Sequence, residues 1–135
     1  MMYEPSMTGG EDPGAGGLEG SVRKLQKELS SGTVSLALLA LLARAEAPLY
    51  GYQIAKELDS FGGGLPVKQG TLYPILRSLE AAGLLSSEVE PSVSGPPRRY
   101  YSVTEEGRQA TELWRAAWMR TREFVDAVLE GRNRG

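Results

Sequence analysis

The segment Gly70-Thr71-Leu72-Tyr73-Pro74-Ile75-Leu76-Arg77-Ser78-Leu79-Glu80 carries Leu72, Ile75, Leu76 and Leu79 at i, i+3, i+4 and i+7. That spacing is the apolar stripe of a helix, and Gly83 just beyond it is a stop signal. At about 100° per residue the opposite face is centred on Gly70, Pro74 and Arg77, flanked by Tyr73 on one side and by Thr71 and Ser78 on the other. A helix from about Gln69 to Ala82 is expected. Its start is blurred by Pro74, which removes one backbone hydrogen bond if the helix begins as early as Gln69.

Downstream, Leu84 to Glu90 reads as a strand. Pro91 to Pro97, with three prolines, a glycine and two serines, reads as a long hairpin tip, and Arg98 to Val103 (Arg98-Arg99-Tyr100-Tyr101-Ser102-Val103) as the returning strand. Thr104 is an N-cap candidate with Glu105 and Glu106 in the first turn, where the helix dipole favours acids, and this last helix extends to about Glu130. Upstream, Ile54, Ala55, Leu58 and Phe61 define a helix from about Gly51, joined to what precedes it by Ala47-Pro48-Leu49. Gly62-Gly63-Gly64 ends it. This triple glycine does not lie between a strand and a helix, so it reads as a loop and not as a phosphate cradle. Leu65-Pro66-Val67 is a brief extended piece. Before all of this, Thr33 caps a Leu/Ala-rich helix to about Arg44, apolar nearly all round. Val22, Leu25 and Leu29 mark a short amphipathic helix that Ser30-Ser31-Gly32 interrupts.

The resulting fold class is mainly α with a small β-hairpin: a winged helix-turn-helix domain over residues 21–103 and a C-terminal dimerisation helix over 104–131. Residues 1–20, rich in glycine, proline and acid, form a disordered tail, and residues 132–135 a frayed one. At 135 residues the chain buries one core. It has no cysteine and no histidine, which removes disulfides, thiolate nucleophiles, the usual general bases and the common zinc sites. No catalytic residue, metal or cofactor is expected, and the protein is read as a non-enzyme. The apolar run Val34 to Ala43 is about half a membrane span, and no basic segment leads into an apolar run at the N-terminus, so the expected location is cytoplasmic, with no membrane partner.

Formal net charge is −2. Residues 1–20 hold Glu4, Glu11, Asp12 and Glu19 and no base, so the remainder carries +2. A weakly positive body is compatible with double-stranded DNA as a partner, because binding depends on where the cations sit. On the helix from Gln69, Arg77 can reach a guanine edge or a phosphate, while Thr71 and Tyr73 donate to phosphate oxygens near the N-terminus beside Lys68 and Gln69. The alternative is an ordinary solvated face with one arginine. Arg98 and Arg99, on a strand beside the hairpin tip, tilt the reading toward DNA.

Along the last helix Trp114, Trp118, Thr121, Val125 and Val128 advance by 4, 3, 4 and 3, the spacing of one heptad seam. Two such seams would build a homodimer that sets two reading helices on a palindromic operator. The alternative is packing within the chain. Trp114 and Trp118, a turn apart, would either pack in a core or interface or wall a small planar aromatic effector.

Tyr50-Gly51-Tyr52-Gln53-Ile54-Ala55, Gly70 to Leu76, Leu79-Glu80 with Gly83-Leu84-Leu85, Arg98-Arg99-Tyr100-Tyr101 and Thr104-Glu105-Glu106-Gly107 resemble, in order and spacing, the PadR family of bacterial transcriptional regulators. The resemblance covers about Leu25 to Leu129. It implies a homodimeric winged helix-turn-helix repressor of its own gene or a neighbouring operon. The single C-terminal helix is similar to the family's short-tailed subgroup, some of whose members hold planar drugs between aromatic side chains at the dimer interface; that comparison makes Trp114 and Trp118 ligand candidates. The acidic N-terminal tail lies outside the family pattern. A reading from another class is a winged-helix protein-interaction module that does not bind DNA, supported by the low net charge and the aromatic and proline content near the wing.

Overall fold

The structure, a computed structural model, describes residues 17–62 and 67–133. Its elements are α1 (Gly17–Arg44), β1 (Leu49–Tyr50), α2 (Gly51–Ser60), α3 (Gln69–Ala81), β2 (Leu85–Ser92), β3 (Gly95–Val103) and α4 (Glu105–Glu130). The strands form an antiparallel sheet in the order β1-β3-β2.

α1 corrects two expectations. It starts at Gly17, inside the stretch read as a tail to residue 20, and it passes through Ser30-Ser31-Gly32 without a break. Ser30 turns its hydroxyl back onto the Lys27 carbonyl at 3.0 Å, which satisfies the side chain without ending the helix. Thr33 is consequently interior and not an N-cap. Residues 1–16 of the expected tail lie outside the described residues. The part of α1 up to Ser31 belongs to one unit and the chain from Gly32 to a second. In the first unit Leu18, Val22, Leu25 and Leu29 recur along one helical face, all exposed.

In the second unit Leu38, Leu39, Ile54, Leu72 and Leu76 are fully buried, joined by Val34, Leu41, Leu42, Leu79, Leu85 and Tyr101. The stripe expected on α3 is thus the inner face, with Ile75 packed at its margin. Each such leucine or isoleucine contributes about 1.5–3 kcal/mol by leaving water.

The C-terminus of α3 closes in a Schellman arrangement. Gly83, at φ +82°, donates its N–H to the Glu80 carbonyl at 2.9 Å, and Leu84 donates to Leu79 at 3.0 Å. Thr104 then ties the next joint: its hydroxyl donates to the Gly83 carbonyl at 2.7 Å and accepts from the Gly107 N–H at 3.0 Å, capping α4. Gly107 lies against the Leu84 carbonyl so closely that a Cβ there would run into it and into Val103. Arg108 completes the junction by donating to the Ala43 carbonyl in the last turn of α1 at 2.9 Å.

The hairpin also differs from expectation. The strands continue through the proline-rich stretch, and the tip is a tight turn at Val93-Ser94. Proline is tolerated because all three fall in the register shift: between the Glu90–Arg98 and Ser92–Gly95 pairs, Pro91 stands opposite Pro96 and Pro97, where the ladder is interrupted. β1 itself, expected as the end of a connection, supplies the sheet's third strand.

Candidate nucleic-acid interface

α2 and α3 form the helix-turn-helix. α3 begins after Lys68 in extended backbone, and Thr71 and Leu72 both donate to the Lys68 carbonyl, at 2.9 and 3.2 Å. Because Leu72, Leu76 and Leu79 are committed to the core, Lys68, Gly70, Thr71, Pro74, Arg77 and Ser78 all face solvent. Pro74 sits inside the helix, on this exposed side. Among the described residues Arg77 enters no ion pair, which leaves its guanidinium available to an external anion.

Tyr73 and Gln69 are less available than expected. The Tyr73 ring lies over Gly51 at the start of α2, where a Cβ would overlap its hydroxyl end. Its hydroxyl donates to Gln69 Oε1 at 3.4 Å, and the residue remains 37% exposed. Tyr73 therefore joins α3 to the start of α2 while part of its ring stays open to solvent.

The two wing arginines part company. Side chains alternate along a strand, so Arg98 shares a face with Tyr100, and Arg99 shares the other with Tyr101. Arg98 lies over the Tyr50 ring with its Cζ 4.5 Å from the centroid, and Tyr50 in turn meets Tyr100 edge-on at 5.3 Å and Tyr52 at 6.5 Å. A stacked guanidinium keeps its N–H edge for a phosphate. Arg99 instead donates from Nη1 to Ser87 Oγ at 2.9 Å, and the Ser87 hydroxyl donates to Glu80 Oε2 at 2.7 Å. Tyr101 is buried on this side. Desolvation raises its phenol above the usual 10.0; Arg99 pulls it down, Glu80 pushes it up, Arg77 lowers it and Tyr73 raises it. Tyr50, Ser87 and Glu80 were not singled out as site residues from the sequence. Period-two alternation would have separated the arginines, but their partners depend on strand pairing.

The two tryptophans also separate. Trp114 packs against the core of its own domain, whereas Trp118 is 40% exposed. Beyond it Phe124, Val125, Val128 and Leu129 are exposed as well. Among the described residues there is no cluster of acidic side chains able to hold a metal and no helix long and apolar enough to cross a membrane.

A helix-turn-helix with an outward polar face on its second helix, followed by a three-stranded wing that carries an arginine pair, is the architecture of winged-helix DNA-binding regulators. The sequence profile of the transcriptional regulator PadR-like family matches residues 38–113, and the chain belongs to that family. It is 43% identical over 82 residues to the transcriptional regulator Rv3488 of Mycobacterium tuberculosis, covering 60% of this chain and 74% of that one. A PadR family transcriptional regulator from Eggerthella lenta has a similar crystal structure, with TM-score 0.73 and 36% identity over 85% of this chain and 96% of that one. A PadR-like regulator from Bacillus cereus superposes with TM-score 0.63 at 25% identity, covering 78% and 99% of the two chains. The protein is thus a PadR-family transcriptional regulator, a family that acts by binding DNA, and not an enzyme.

Proposed function

We propose that the protein is a homodimeric repressor that occupies a palindromic operator at its own gene or a neighbouring operon in the cytoplasm. The observation that carries the dimer is the bare seam of α4: Trp118, Val125 and Val128 are 40%, 43% and 65% exposed although they sit at heptad positions. A second copy of α4 would cover them. Each subunit then presents the outer face of α3 to a major groove, with Arg77 as the base- or phosphate-reading cation, Lys68 and Thr71 at phosphates, and Gln69 and Tyr73 at the rim. The wing's Arg98 reaches the flanking backbone or minor groove. One cation per reading helix is too few to hold DNA, so the wings and the two-fold are both needed.

The test is a binding assay on promoter fragments upstream of the gene and its neighbour, repeated across a salt series, beside sedimentation of the free protein. If about six phosphates are neutralised, affinity falls roughly 10³-fold or more between low and physiological salt. No binding to any duplex at low salt would support the protein-interaction reading instead. Release by a small planar aromatic effector against Trp118, with Trp114 at the inner end of the same face, is part of this proposal. Tryptophan fluorescence titrated with a panel of planar aromatics checks it, and an unchanged spectrum throughout would remove it.

A further inference from the structure

The hairpin beyond Tyr100 is a two-stranded ribbon, since β1 pairs with β3 only at Tyr100 and Tyr101. Such a ribbon is marginal alone and free to swing unless something fixes its base. The polar chain Glu80–Ser87–Arg99 stands at that base. It spans three elements, α3, β2 and β3, with two hydrogen bonds of 2.7 and 2.9 Å. Ser87 is suited to the middle position, because a hydroxyl donates one bond while accepting another, and the carboxylate and guanidinium at its two ends polarise it in the same sense. Ser87 lies opposite Tyr101 in the ladder, and Arg99 lies two residues along β3 on the same face, so the guanidinium reaches back along the strand toward α3.

We propose that Glu80 and Ser87 are positioning residues for DNA binding: with Arg99 they brace the wing against α3, so that Arg77 and Arg98 meet the duplex at a set separation. The inference rests on the reading that α3 and the wing both contact DNA. It reassigns Arg99 from a phosphate contact to the outer end of the brace. Neither Glu80 nor Ser87 touches the nucleic acid.

The experiment measures anisotropy of a labelled promoter duplex across a salt series, beside hydrogen exchange of the DNA-free protein. Ser87→Ala is expected to weaken binding about fivefold with the slope of log Kd against log salt unchanged, and Ser87→Thr, which keeps the hydroxyl, to restore it. Arg99→Ala is expected to leave the slope unchanged too, and the Ser87→Ala/Arg99→Ala pair to bind no more weakly than Arg99→Ala. In the free protein, amides at 88–99 exchange faster in Ser87→Ala and Glu80→Ala. A slope lowered by about two in Arg99→Ala, one contact from each subunit, with Ser87→Ala binding like the parent, would make Arg99 a phosphate contact and overturn the brace. Unchanged exchange in both variants overturns it as well. A parent that binds no duplex refutes the DNA-binding reading, and the exchange rates then decide the brace by themselves.

Discussion

Arg98 and Arg99 are adjacent in the chain, yet one lies on an aromatic ring and the other in a hydrogen-bonded chain, because a strand sends successive side chains to opposite faces. Their substitutions should therefore behave differently. Each substitution removes one contact from each subunit of the proposed dimer, so Arg98→Ala and Arg77→Ala are each expected to reduce the salt slope of operator binding by about two, read from anisotropy titrations. Tyr101 supports a second prediction at this scale. Its folded-state pKa is raised above 10.0, chiefly by burial, so the folded chain holds the phenolic proton longer than the unfolded chain does. The contribution of Tyr101 to stability is then level below about pH 10 and falls as pH rises beyond it, since the unfolded state deprotonates first. Urea unfolding at stepped alkaline pH should show this decline, and Tyr101→Phe should flatten it. The outer face of α3 was legible from the sequence, because four apolar residues at helical spacing leave no choice about which side is buried. The engagement of Tyr73 with Gly51 was not, because it depends on how closely α2 approaches.

At the scale of elements, the joint between α3, β2 and α4 rests on two small residues. Thr104 bonds both Gly83 and Gly107, and Gly107 admits the Leu84 carbonyl where no side chain fits. Gly107→Ala is expected to cost about 1–3 kcal/mol through overpacking against rigid backbone, measured as a lower Tm. Leu76→Ala, which empties a fully buried site on α3, is expected to cost about 2–5 kcal/mol. Helix ends were readable wherever a cap or glycine marked them, as at Thr104, Gly83 and the α4 stop at Gly131. Two elements were misread for one physical reason. Ser30-Ser31-Gly32 and the prolines near the wing are local breakers, and local preference yields where hydrogen bonding or a bulge accommodates them. The two-residue β1 carries no periodicity of its own and exists only because β3 pairs with it.

For the whole molecule, the apolar face of α4 makes assembly the decisive experiment. Val125→Asp together with Val128→Asp is expected to convert the proposed dimer to a monomer in sedimentation, and to weaken operator binding by the loss of one half-site while the monomer stays folded. A dimer that survives the double substitution would place its interface elsewhere. The order of elements from α2 onward, the buried face of α3, the arginine pair of the wing and the family were readable from the sequence by itself, because each depends on residues close together in the chain and on patterns of period 3.6 or 2. Only the tertiary structure decided what the exposed polar groups do. Arg98 is stacked on Tyr50, Arg99 is bound through Ser87 to Glu80, and Trp114 packs half-buried against the core while Trp118 is exposed. These outcomes join residues distant in sequence, and their partners are set by strand register and helix packing, which no local pattern encodes.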